Sequence, residues 1–171
     1  FTHPVYVRKD EDSDPQLTNV LLDCGSNVTL ITERLAKRLC LVGRKSVLNL
    51  NGIGDTRTAL QSAKCDIHIG SKGGQYKGVW RNVQVVPEIA GALKAHNWTK
   101  ELSAYGISDD ITPFAKGEID LLVGNDQREI QRQLDSVCSD IEKDPLAIRN
   151  VLGWTVSGNI DAPNSNTREN I

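Results

Sequence analysis

Several short stretches of this chain alternate apolar and polar residues, the period-two signature of half-buried β-strands. Cys65, Ile67 and Ile69 are interleaved with Asp66 and His68, and Leu152, Trp154 and Val156 with Gly153 and Thr155. Residues 5–7 and 20–22 are rich in β-formers and separated by Lys9-Asp10-Glu11-Asp12-Ser13-Asp14-Pro15, which has turn chemistry, so they predict a hairpin. Residues 28–31 predict another strand. Residues 47–50 predict a short one that runs into Asn51-Gly52-Ile53-Gly54-Asp55, where glycines flanked by Asn and Asp favour a tight turn and a second hairpin. The glycine-rich 70–78 segment reads as a turn into a strand at 79–86, and 119–123 is a continuous apolar run ending at Gly124, as a buried strand would be.

Helical signals are fewer. Thr32 is placed to cap residues 33–39, which have Glu33 in the first turn, Leu35 and Leu39 on one face, and Lys37 and Arg38 near the end. Ile130, Leu134, Val137 and Ile141 recur at helical spacing, with Asp126 as candidate N-cap and Pro145 past the end, and predict a C-terminal helix. Between 87 and 117 the pattern weakens to short helical possibilities at 90–95 and 99–105, so this segment is an insertion of uncertain structure. The expectation is an all-β fold with a few short helices. One domain covers residues 1–158, and 159–171, dominated by Asn, Asp, Ser and Thr, forms a polar disordered tail or linker.

Composition narrows the function classes. The 171 residues carry 20 Lys plus Arg against 22 Asp plus Glu, so a net charge of -2 offers no basic surplus for nucleic acid or an anionic membrane. No apolar run approaches the ~18 residues of a membrane span, and no signal-peptide pattern is present, which points to an intracellular, cytoplasmic chain. The absence of Met points to a piece of a longer protein. Cys24, Cys40, Cys65 and Cys138 are scattered without the close pairs of a zinc site and read as reduced thiols. No metal or other cofactor is expected.

The candidate chemistry sits at Asp23. An acid at the end of an apolar β-segment is costly unless its charge is solvated by hydrogen bonds or shared with a partner. For an isolated Asp-x-Gly the ordinary reading is a turn in which the carboxylate accepts backbone amides. Here the run Leu21-Leu22-Asp23-Cys24-Gly25-Ser26-Asn27-Val28-Thr29-Leu30-Ile31 resembles the active-site stretch of retropepsins, the homodimeric aspartic proteases of retroviruses and retrotransposons. Asn51-Gly52-Ile53-Gly54-Asp55 looks like the tip of their flap hairpin. Ile119-Asp120-Leu121-Leu122-Val123-Gly124-Asn125-Asp126 looks like the segment before their C-terminal helix. With the 33–39 helix and the closing Leu152-Gly153-Trp154-Thr155-Val156-Ser157-Gly158, the order is most similar to the proteases of BEL/Pao-type retrotransposon polyproteins, over residues 17–158.

That resemblance implies a retropepsin-like β-barrel with one lobe per chain and a homodimer that cleaves polypeptides, most naturally its own polyprotein. It implies catalysis by Asp23 from each subunit, since the chain has only one such triplet. Gly25, Ser26, Asn27, Gly52, Ile53 and Gly54 would contact the substrate, with 52–54 acting as a mobile lid. Cys24 and Gly124 would support the site. Cys24 departs from the family's Thr or Ser, and a thiol is a poorer donor and acceptor than a hydroxyl. A slower protease, a redox-sensitive one, or a non-enzymatic dimerisation or peptide-binding module are the alternatives. A cysteine nucleophile at Cys24, with His68 or His96 as base, lacks a partner motif.

Overall fold

Val5 and Val7 are fully buried in β1 (Thr2–Arg8), and Val20 is fully buried in β2 (Gln16–Leu22). The two strands form the hairpin that their pattern predicts, with Val5 opposite Thr18 and Val7 opposite Gln16. The computed structural model describes residues 2–51, 57–93, 102–103, 105–107, 117–138 and 146–157. The remaining elements are β3 (Leu30–Thr32), α1 (Glu33–Arg38), β4 (Arg44–Asn51), β5 (Arg57–Ser71), β6 (Lys77–Val86), β7 (Ala90–Leu93), β8 (Gly117–Val123), α2 (Arg128–Gln131), β9 (Asp135–Val137), β10 (Leu146–Asn150) and β11 (Gly153–Ser157).

The protein is mostly β, and six of its strands close on themselves in the order β1, β2, β8, β3, β6, β5 and back to β1. Closure leaves those strands without open edges and encloses a single core. Ile31, Ile67, Trp80, Leu121 and Val123 are fully or almost fully excluded from water there, each side chain of Val or Ile size contributing about 1.5–3 kcal/mol on transfer from water. β8 runs parallel to β2 and antiparallel to β3, lying between two strands that are neighbours in sequence. The chain between them, residues 23–29, therefore does not close a hairpin. It crosses the end of β8.

β5 is 15 residues long and serves two purposes. Its second half pairs with β6 and β1 in the barrel wall, while its first half pairs with β4, in register from Arg44 opposite Lys64 to Asn51 opposite Arg57. Val47 and Leu50 on that arm are exposed while Leu48 is buried.

α1 forms where its cap and charges place it. Thr32 Oγ1 accepts the Leu35 N–H at 3.2 Å and donates to Asp120 Oδ1 at 2.6 Å. Asp120, on β8 and only 4% exposed, also accepts Thr18 Oγ1 at 3.2 Å, Arg34 at 2.6 Å and Arg38 at 3.5 Å. Arg34 pairs with Glu118 as well. A buried carboxylate is retained here because four donors from β2, β3 and α1 replace its water. The helix ends in a Schellman turn, with Cys40 N–H on Lys37 O and Leu41 N–H on Ala36 O, each at 3.0 Å, and Cys40 in the left-handed region at φ 51°.

Two helical expectations are corrected. Residues 90–93, part of the 90–95 stretch read as a short helical possibility within a segment of uncertain structure, form β7 against β8, and the backbone pairing available at that strand outweighs weak local propensity. The helix expected from Ile130 onward lasts one turn, Arg128–Gln131, so the long C-terminal helix is not formed. Ile130 is buried in the barrel core, but Leu134 is 49% exposed, and β9 pairs with β10, Val137 lying opposite Ala147. The three-stranded sheet β11-β10-β9 has its own small apolar cluster, in which Ala147 and Val156 meet Leu102 and Ile107 from the 87–117 segment. Ile141 and residues 159–171 lie outside the described residues.

The small sheet is tied to the barrel at its base. The buried His3 ring on β1 meets Asn150 Nδ2 at 3.2 Å from its Nε2, and Thr155 Oγ1 donates to Thr2 O at 3.1 Å. No helix among the described residues is long and apolar enough to cross a membrane.

Candidate active site

Pairing between β2 and β8 continues one residue past the end of β2, because the Asp23 N–H donates to Val123 O at 3.1 Å. The chain then turns sharply. Ser26 N–H reaches back to Asp23 O at 3.2 Å and Gly25 N–H donates to Asp23 Oδ1 at 2.9 Å, so the side chain organises its own turn. A Cβ on Gly25 would stand 3.2 Å from that same oxygen, which makes the absence of a side chain useful at this position. Asp23 is half-buried, and its Oδ2 has no hydrogen-bond partner among the described residues. One oxygen is thus fixed by the turn.

Cys24 is exposed and carries a free thiol. Ser26 is turned inward on its own loop, its Oγ donating to Val28 O at 2.8 Å and accepting Val28 N–H at 3.3 Å, while Asn27 is exposed. Gly52, Ile53 and Gly54 lie outside the described residues, beyond the Asn51 and Arg57 pair that ends the described part of the β4–β5 arm.

The loop is held from behind by the segment after β8. Gly124 passes so close beneath it that an added Cβ would lie 2.6 Å from Val28 O, 2.8 Å from Val28 N and 2.9 Å from Ser26 O, all backbone atoms. The next residue contributes two bonds: Asn125 N–H to Ser26 O at 2.8 Å and Asn125 Nδ2 to Cys24 O at 2.7 Å. Asp126 then takes the Thr29 N–H and hydroxyl, and Thr29 Oγ1 in turn accepts the Gly124 N–H at 3.3 Å. Asp126, expected to cap a helix, is thus engaged with the loop. Gly124 occupies the N-cap position of the 3₁₀ turn Asn125–Gln127.

Behind this segment α2 is braced to the barrel. Tyr76 OH donates to Glu129 Oε1 at 2.6 Å and accepts Trp80 Nε1–H at 3.3 Å. Burial, reinforced by the Glu129 carboxylate, pushes the phenol up to about 12, so it remains a donor through the ordinary pH range.

Asn125, Asp126 and Thr29 did not stand out in the sequence as site residues. The Thr29–Asp126 pairing spans 97 positions and the Cys24–Asn125 pairing 101, and no local pattern signals either. Compared with models of protein families, with curated proteins and with solved structures, the chain matches none.

Proposed function

We propose that the chain is one half of a homodimeric aspartic endopeptidase of retropepsin type, acting on polypeptides and most naturally on the polyprotein that contains it. The observation that carries the reading is the Asp23 carboxylate, held at the mouth of a closed barrel by the Gly25 N–H on one oxygen and without a partner among the described residues on the other. A second Asp23, brought by a twofold-related chain, would complete the pair. Two adjacent carboxylates share one proton, the ionised member activating a water and the protonated member polarising the scissile carbonyl. In this scheme the β4–β5 arm would close over the substrate and exclude bulk water.

A specific observation supports a second reading, a peptide-binding or dimerisation module without turnover: the exposed thiol of Cys24 stands where the resembled family carries a hydroxyl. Incubating the wild type and Asp23→Asn with a peptide library, with oligomeric state measured alongside, separates the two. The protease reading expects a dimer and cleavage that Asp23→Asn abolishes. Cleavage unchanged in Asp23→Asn removes Asp23 from the mechanism, no cleavage by a dimeric wild type favours the module, and a strict monomer at high concentration undermines both.

A further inference from the structure

The Cys24 carbonyl and the Gly25 N–H belong to one peptide unit, which is planar and rigid. Asn125 Nδ2 holds the carbonyl end of that plane at 2.7 Å, and Asp23 Oδ1 receives the N–H end at 2.9 Å. We propose that Asn125 is the positioning residue of the candidate site, setting the orientation of the Asp23 carboxylate through the single peptide plane between Cys24 and Gly25. The inference rests on the protease reading for its catalytic consequence, but the positioning itself can be tested without turnover.

Three features carry it. The Asn125 backbone N–H anchors the residue independently on Ser26 O, so the side chain reaches Cys24 O from a fixed base. That base is itself constrained, because Gly124 is wedged against Val28 and Asp126 grips Thr29. A hydrogen bond accepted at the carbonyl also polarises the peptide and strengthens the N–H that faces Asp23. The arrangement acts through the main chain of residue 24 and makes no use of its side chain. Within one chain the loop is therefore held without a contribution from the residue 24 side chain.

The test is amide hydrogen exchange at Gly25 in the full chain, with the barrel amides of Ile31 and Leu121 as internal reference. Asn125→Ala keeps the backbone bond to Ser26 and removes only the side-chain donor. Gly25 protection should fall about five- to tenfold, as expected for one lost hydrogen bond, while Ile31 and Leu121 keep theirs. Asn125→Asp preserves shape but loses the donor at neutral pH. It should therefore behave as Ala there. With a cleaved substrate, both variants at neutral pH should lower kcat by a similar factor at nearly unchanged KM. Gly25 protection equal to wild type in Asn125→Ala, or in Asn125→Asp at neutral pH, overturns the proposal. Altered Gly25 exchange in a protein that shows no Asp23-dependent cleavage overturns the protease reading and leaves the role of Asn125 in place.

Discussion

Asp126 grips Thr29 with both carboxylate oxygens, Oδ2 on the N–H at 3.0 Å and Oδ1 on the hydroxyl at 2.6 Å. Thr29 is fully buried, so neither group has water as a substitute. Asp126→Ala should lower stability by about 1–3 kcal/mol, the range for hydrogen bonds to a charged group, moderated because Asp126 faces solvent. Thr29→Val should cost a similar amount, because it removes the hydroxyl that also receives the Gly124 N–H. Urea unfolding at one fixed protein concentration measures both, since subunit association would otherwise contribute.

Burial holds His3 down at about 3, well below its ordinary 6.5. The unfolded chain therefore takes up a proton at His3 at a pH where the folded chain does not, and stability falls as the pH drops from about 6.5 toward about 3. The loss across that window should reach several kcal/mol. His3→Gln, which keeps an amide for Asn150 and does not titrate, should flatten the dependence when unfolding is compared at pH 7 and pH 4. An unchanged slope in His3→Gln would assign the acid sensitivity elsewhere.

Asp120 draws Thr18, Thr32, Arg34 and Arg38 onto one side chain. Asp120→Ala should cost about 2–4 kcal/mol and loosen α1, because it leaves Thr18 and Thr32 unsatisfied in a buried position. Arg38→Ala should cost under about 1 kcal/mol, because its contact is 3.5 Å and nearly half the side chain is in water. Thermal unfolding of the two variants checks the order.

Cys40 occupies the left-handed position of the Schellman turn, at φ 51°, which glycine adopts without strain. Its side chain is exposed, so no packing is lost on removing it. Cys40→Gly should raise stability by about 0.5–1 kcal/mol, whereas Cys40→Ala should leave it nearly unchanged. A rise in the thermal midpoint confined to the glycine variant is the expected result.

Features set by local chemistry were legible in the sequence. The β1–β2 hairpin followed from its two β-forming stretches and the polar turn between them, α1 from Thr32 and its charged ends, and β8 from its apolar run into Gly124. The turn at Asp23 was legible for the same reason, since Asp followed by Gly at the second position favours that side-chain bond. The pairing of Leu22 with Val123, and hence the threading of β8 between β2 and β3, depends on contacts distant in sequence that no periodicity encodes. Helical spacing misled at residues 130–141 because Asp135–Val137 finds a backbone partner in β10, and that pairing decides the conformation regardless of period. The Asn125 and Asp126 contacts were hidden by the same separation in sequence.

Because β8 is threaded between β2 and β3, time enters the design of the site. A nascent chain that has exposed β1 through β6 has all of Asp23, Cys24 and Gly25 but no strand to bridge the two sides of their loop. Non-local pairings of this kind form late, after the entropy of closing a long loop has been overcome. Asp23 therefore precedes, along the chain, the strand that completes its surroundings. The turn that carries Asp23 is complete only once β8 and the 124–126 segment have folded against it.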